Sequence, residues 1–275
     1  MNTRLPAFFQ LSKYDISPED VVKGTFGCEP DAIQRKVVIT PAWGPEVFTD
    51  ATDAVTEIAV GIHSVWQLSF AGSNLSLIRC GIGAPMAGNV VLALGCTECK
   101  NLIFTGSMAG LHGNIHIGDL FVVKRSICGD GFSRYLTSDI VPKDCFLQPV
   151  APTKSLTDHI RNQAANICHS QSVALHQGSV FSLDCVLPEF FRLNYILEEL
   201  ECSGLEMETA VVFRTANLVG IEAAALLIVS DTPLQNKSLY SGRTPKEREH
   251  VRTNRRKVLA KAILGSLVSF QDGND

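Results

Sequence analysis

The chain alternates short apolar runs with glycine-rich turns. Lys36-Val37-Val38-Ile39-Thr40 is a β-branched run stopped by Pro41, which predicts a buried strand. Val65 to Phe70 and Leu75 to Cys80 flank Ala71-Gly72-Ser73-Asn74, a hairpin pattern that leads into the turn Gly81-Ile82-Gly83-Ala84-Pro85. Met86 to Leu94 then reads as a short apolar helix. Asn101 to Thr105 reads as a strand running into a second glycine turn, Gly106-Ser107-Met108-Ala109-Gly110. Further on, the pattern predicts strands at Leu120 to Lys124, Val173 to Phe181 and Ala223 to Val229. Helices are expected at Asp158 to Cys168, Phe190 to Leu200, Glu208 to Leu218 and, at the end, from about Pro245 to Phe270. Strand, glycine turn, helix and strand in this order describe an α/β domain with a parallel sheet whose strand ends carry a site. Residues 1–35 hold Pro6, Pro18 and Pro30 and no sustained period; they read as an N-terminal extension that wraps the domain, 36–275, or a neighbour.

Composition narrows the class. With 275 residues, 45% hydrophobic and 19% charged, the chain can bury one large core without staples. The formal net charge is -4, and the basic run from Lys246 to Lys257 is interrupted by acids. It reads as the solvated face of a terminal helix, so no nucleic-acid partner is expected. Nine cysteines are scattered through apolar segments, which fits reduced thiols in a cytoplasmic protein better than a disulfide framework. Cys96-Thr97-Glu98-Cys99 has redox spacing but closes an apolar helix, and no second pair completes a zinc site. No segment approaches the roughly 18 to 20 apolar residues of a membrane span, and no leader pattern opens the chain. Seven histidines, His112 and His116 near the second glycine turn among them, show no metal-ligand spacing. Neither a metal nor a cofactor is expected.

The most specific segment is Gly204-Leu205-Glu206-Met207-Glu208-Thr209-Ala210, followed by an apolar helix, a strand and Val229-Ser230-Asp231. Two glutamates at a helix start would by themselves suit the helix dipole. In this order and spacing, however, the segments resemble the Val-Glu-Met-Glu-Ala and Val-Ser-Asp signatures of the nucleoside phosphorylase and nucleosidase superfamily. Cys80-Gly81-Ile82-Gly83-Ala84-Pro85-Met86-Ala87 resembles that family's Gly-Ile-Gly-x-Pro-Ser-Ala turn. Thr105-Gly106-Ser107-Met108-Ala109-Gly110-Leu111 is similar to the Thr-Gly-Ser-Ala-Gly-Gly-Leu turn of its methylthioadenosine nucleosidases, and Ile117 to Val123 is similar to Val-Gly-Asp-Val-Val-Val. The resemblance spans residues 36 to about 232. It implies a single three-layer α/β domain with a central mixed, mostly parallel sheet, a small-molecule nucleoside or nucleotide as partner, and a homo-oligomer of two to six subunits.

The resemblance also assigns roles. Glu208 would accept hydrogen bonds from ribose hydroxyls, beside Glu206 and with Met207 packed under the sugar. Asp231 would protonate or hydrogen-bond the leaving purine nitrogen, oriented by Ser230. Gly83, Gly106 and Ser107 would line the same site. Ser182 and Asp184 fall in the base-binding loop, where the usual stacking aromatic is replaced by Val186; Phe181, Phe190 or Phe191 would stack instead.

The nucleophile divides the family, and here the chain departs from the phosphorylase pattern. The positions of the phosphate-binding arginines read Phe104 and Val65-Trp66-Gln67, and an anion drawn from water needs charge-assisted donors. Arg79, Arg134 or the amides of Gly83 and Gly106 stand as substitutes. Thr40 to Val47 can be laid on the nucleosidases' Gly-Ala-Met-Glu-Glu-Glu-Val, making Glu46 the base that activates water, or on the phosphorylases' Pro-Gly-Asp-Pro, making Gly44 a phosphate donor. Both alignments stay open. Asp130 to Tyr135 resembles a stretch of some phosphorylases, and Ser230-Asp231-Thr232-Pro233-Leu234 resembles AMP nucleosidases. The expectation is cleavage of the N-glycosidic bond of a purine-type nucleoside or nucleotide, hydrolysis ahead of phosphorolysis, with inorganic phosphate a co-substrate only in a phosphorylase. A catalytically weakened nucleoside-binding regulator is the reading from a different class.

Overall fold

The β-branched run at Lys36 becomes the middle of a parallel array. A computed structural model describes residues 11, 13–136, 144–186 and 193–271. In chain order they form helix α1 (Pro18–Phe26), strands β1 (Lys36–Thr40), β2 (Ala54–Ala59), β3 (Ser64–Phe70) and β4 (Ser73–Arg79), and helix α2 (Ala84–Leu94). Strands β5 (Asn101–Phe104), β6 (Ser107–Gly110), β7 (Leu120–Gly129) and β8 (Pro149–Val150) precede helix α3 (Lys154–Gln171) and strand β9 (Leu175–Leu183). Helix α4 (Leu193–Glu198), strand β10 (Gly204–Glu206), helix α5 (Thr209–Val219), strand β11 (Glu222–Asp231) and helices α6 (Pro245–Asn254) and α7 (Ala260–Ser269) complete the chain.

β1 pairs in parallel with β4 on one edge and β5 on the other, and β5 pairs in parallel with β11. β11 then continues alongside β6 in the same register. The break between β5 and β6 is bridged by Thr105 Oγ1 donating to Leu226 O at 2.8 Å and by Ile228 N donating to Gly106 O at 3.1 Å. On its other edge β11 pairs antiparallel with β7. Because β6 pairs with β10, β10 with β9 and β9 with β7, these strands and β11 close into a ring of five. β2, β3 and β4 form an antiparallel meander beyond β1.

Helices cover both faces of this mixed sheet. Val37 and Ile39 pack with Val91 of α2 and Val212 and Phe213 of α5, while the intervening Val38 packs with Ile160 of α3 and Ile263 and Leu267 of α7. This is the two-residue alternation of a strand buried on both sides, and it yields three layers.

Several elements differ from the sequence expectation. The N-terminal stretch holds a helix, fixed by a Ser17–Asp20 capping box with Pro18 in its first turn; Val22 and Phe26, one turn apart, are buried against the core with Ile33. β2 lies at the sheet edge and has no fully buried position, and its apolar residues do not alternate, so the sequence pattern hides it. Ser107–Gly110, expected as a turn, is a strand between β11 and β10. Glu206, expected at a helix start, ends the short strand β10. The terminal helix is interrupted between α6 and α7 by a π-helical turn, Arg255–Leu259. Of the helix expected at Phe190 to Leu200, residues 190–192 lie outside the described residues.

α2 packs closely against its neighbours at Gly88, where an added Cβ would fall 2.5 Å from Phe132 Cε1 and 2.9 Å from Val211 Cγ2 of α5. Gly88→Val is expected to lower stability by about 1–3 kcal/mol through overpacking, a fall in Tm of roughly 2–4 °C per kcal/mol for a chain of this size. An unchanged melting curve would show that α2 and α5 are not packed this closely.

Candidate active site

The parallel strands β4, β1, β5 and β11 all end at one edge of the sheet, and the loops beyond them surround a cleft of about 310 Å³. Two glycine positions make this edge. Gly81 and Gly83 have φ of 92° and 95°, the region that favours glycine, and a Cβ on Gly81 would fall 2.6 Å from Met86 Cε. The sharp turn leaves the Gly83 N–H directed at Glu208, donating to its Oε1 at 2.7 Å.

Glu206 and Glu208 are both buried, yet their surroundings differ. The Glu206 carboxylate accepts from the backbone N–H of Glu208 and of Thr209, each at 2.7 Å, from Thr209 Oγ1 at 2.6 Å, and from Ser182 Oγ. Burial raises its pKa, and these four donors oppose the rise. Its oxygens are spent on holding the turn, so Glu206 shapes the wall of the cleft. Glu208 accepts from the Gly83 amide, and burial together with the neighbouring Glu206 charge raises its pKa, opposed by the backbone amides of Gly83 and Met207. Ser182 lies beneath Glu206, where its Oγ also accepts from Ala210 N at 2.9 Å.

Asp231 closes β11 with its carboxyl buried, facing the same cleft as Met207 and Glu208. Burial raises its pKa, opposed by the Ser230 hydroxyl, which donates to Oδ1 at 2.5 Å, and by the Arg243 cation. Arg243 is anchored by Nη1 on Ser230 O at 3.2 Å and by Nη2 on Leu239 O. Nothing in the local sequence marks Arg243, which lies in the polar loop after the conspicuous motif. Trp43, Ile82 and Leu239, which also line the cleft, were hidden for the same reason: each is one apolar residue in a loop.

Of the residues singled out from sequence, Ser107, Glu206, Met207, Glu208, Ser230 and Asp231 line the cleft together. Gly83 joins them through its amide, and Gly106 directly precedes Ser107. Others lie apart among the described residues. Phe181 is buried with its ring 6.5 Å from that of Phe146, and Asp184 accepts from Gly131 N at 2.7 Å. Arg134 is exposed and reaches Asp144 at 3.5 Å. Glu46 sits exposed in a short 3-10 turn with Oε1 accepting from Gly44 N at 3.0 Å, so this carboxylate takes up the Gly44 amide. His112 and His116 are exposed and away from the cleft, and no group of three or more metal-ligating side chains occurs among the described residues. All nine cysteines, including Cys96 and Cys99, are free, and no helix among the described residues is long and apolar enough to cross a membrane.

The phosphorylase superfamily model matches residues 36–265. This chain belongs to the phosphorylase superfamily. It is 24% identical over 253 residues to the uridine phosphorylase of Thermococcus kodakarensis, with 88% of each chain covered. It is 26% identical over 210 residues to the 5'-methylthioadenosine/S-adenosylhomocysteine nucleosidase of Desulfotalea psychrophila, covering 74% of this chain and 87% of that one. The crystal structure of uridine phosphorylase from Vibrio fischeri ES114 has the same fold, with a TM-score of 0.73 at 20% identity over 88% of this chain and 95% of that one. The resemblance read from the glycine turns and the Glu-Met-Glu segment therefore holds at the level of family and fold: this superfamily member is an enzyme of the nucleoside phosphorylase and nucleosidase type.

The raised pKa of Glu208 has a consequence for stability. The stabilising contribution of such a group is complete below its unfolded-state pKa and is lost as pH rises through the folded-state value, because the buried carboxylate is the unfavourable form. Glu208→Gln removes that ionisation while keeping an acceptor for the Gly83 amide. Its Tm relative to the unsubstituted chain should rise between pH 5 and pH 9. A Tm difference that stays flat across this range would mean that Glu208 is not held in the way described.

Proposed function

We propose that this superfamily member cleaves the N-glycosidic bond of a purine-type nucleoside, with water ahead of phosphate as nucleophile. The observation that carries the reading is the pair formed across one small cleft by Asp231, a buried carboxyl with a raised pKa, and Glu208. Breaking the C1'–N bond builds positive charge on the ribose and negative charge on the base. Asp231 serves the base, because a carboxyl that keeps its proton to higher pH can deliver it to the leaving purine nitrogen. Ser230 fixes its orientation. Glu208 serves the sugar: ribose hydroxyls donating to it favour its ionised form, and the resulting carboxylate stabilises the developing cation. Substrate binding and ionisation of Glu208 are thus coupled.

The choice of water rests on charge. No lysine, arginine or histidine lines the cleft among the described residues, whereas three carboxyl groups do. A free phosphate or a 5'-phosphate entering there would lose hydration without gaining charge-assisted donors, which also favours a nucleoside over a nucleotide. Glu46 is the residue we assign to activate water; reaching the cleft requires its turn to give up the Gly44 amide. A binding protein would need no buried proton donor, so the Asp231 environment favours an enzyme over a regulator.

Release of free base from adenosine, inosine, guanosine, methylthioadenosine, AMP and uridine, each with and without inorganic phosphate, tests the proposal. A purine nucleoside should be cleaved to free ribose or its 5'-substituted form without phosphate, and Asp231→Asn should reduce kcat by about 10²–10⁴-fold while leaving affinity largely intact. Strict phosphate dependence with ribose 1-phosphate as product would overturn hydrolysis, and cleavage of uridine alone would overturn the purine assignment.

A further inference from the structure

Among the described residues, those expected to stack on a base do not supply an aromatic wall. Val186 holds the usual position, Phe181 packs against Phe146, and Phe190 and Phe191 lie outside the described residues. An aromatic reaches the cleft from the other side of Asp231. Trp43 lines it from the loop after β1, whereas Leu183 and Val186 line it from the end of β9, and in the sheet these two strands flank β11 from opposite directions.

Trp43 is tied at both ends of its reach. Its backbone N–H donates at 2.9 Å to Oγ1 of Thr40, a fully buried residue ending β1. Its indole carries the Arg255 guanidinium, whose central carbon lies 4.7 Å from the ring centre, inside the range of a cation–π contact. Arg255 opens the π-helical turn of the C-terminal helix, the kind of local widening that redirects side chains. The residues on either side of it grip neighbouring loops. Asn254 Nδ2 donates to Gly118 O at 3.0 Å, and Arg256 Nη2 reaches Asp50 Oδ1 at 2.9 Å. Arg255 is thereby fixed half-buried over an indole that is itself half-buried and borders the cleft. A tryptophan needed only for the core would be covered as Trp66 is, at 7% exposure.

We propose that Trp43 is a ligand contact of this cleft, packing its indole on the bound nucleoside, and that Arg255 is the positioning residue that holds the indole in place. The proposal rests on the nucleoside reading of the site. It gives the cleft the apolar, polarisable surface that Val186 does not provide, and it makes the C-terminal helix part of substrate selection.

Acrylamide quenching of the unsubstituted chain reads Trp43 directly, because Trp66 is buried and these are the two tryptophans of the sequence. The ligands are the nucleosides named above together with free adenine and hypoxanthine. A saturable loss of quenching is expected, absent from Trp43→Phe, which still presents a ring. Trp43→Ala should raise KM about ten-fold, as loss of a base–aromatic contact does, with kcat little changed. Arg255→Met should raise KM roughly three-fold, and Arg255→Lys, which retains the cation, should restore most of the loss. Turnover without protection of Trp43, and with KM unmoved in Trp43→Ala, overturns this proposal and leaves the glycosidase reading standing. Protection by a nucleoside without any turnover keeps the contact and removes the assigned reaction. Neither protection nor turnover with any ligand removes both.

Discussion

β11 is buried along nearly its whole length, so every backbone group on it must find a partner inside the protein. It takes β5 and then β6 along one edge, in a single register as far as Val229, and β7 along the other. The interruption between β5 and β6 is what opens the sheet at Thr105 and Gly106, and the register shift between Val229 and Asp231 is what delivers the Asp231 carboxyl at the strand end. Much of the cleft follows from that one strand. Its neighbours on the ring bring Ser182 and Glu206, and its neighbours in the parallel array bring Trp43 and Gly83.

The carboxylates show how burial distributes work between similar residues. Glu206 and Glu208 are separated by one methionine, yet Glu206 is saturated by backbone and hydroxyl donors while Glu208 meets only backbone amides, of Gly83 and Met207, and the field of its neighbour. The saturated member fixes the turn; the other retains acceptor capacity toward the cleft. Asp231 is treated in a third way, with a hydroxyl and a nearby arginine offsetting part of the cost of its burial. Buried carboxyls with raised pKa values cost stability, and such groups cluster at functional sites.

The C-terminal helix belongs to this design. Its π-helical turn separates a polar half from an apolar half that covers the sheet, and at their junction Asn254, Arg255 and Arg256 touch two loops, the one holding Gly118 and the one holding Trp43 and Asp50.

The amino-acid order determined the parallel strands, the glycine turns at their ends and the Glu-Met-Glu and Ser-Asp segments, because each of these is a local requirement: β-branched runs for buried strands, glycine for positive φ, carboxyl groups at strand ends. The family could be recognised from those segments in sequence order. Edge strand β2 and strand β6 escaped, since the apolar residues of β2 come as adjacent pairs, Ala54-Val55 and Ile58-Ala59, rather than alternating, and Ser107–Gly110 is a strand only because β10 and β11 lie beside it. Phe181 and Arg134 looked suitable by position but point elsewhere, into the Phe146 ring and toward Asp144. Glu46 was legible as a carboxylate near a strand end, whereas its bond to Gly44 was not. The tertiary structure alone decided that Trp43, Arg243 and Arg255, between 12 and 212 residues apart in the chain, gather around one cleft, Trp43 lining it, Arg255 over the Trp43 ring and Arg243 near Asp231. The physical reason is that burial, electrostatic field and stacking depend on distance in space, and a chain folded around a closed ring of strands brings distant loops to the same edge.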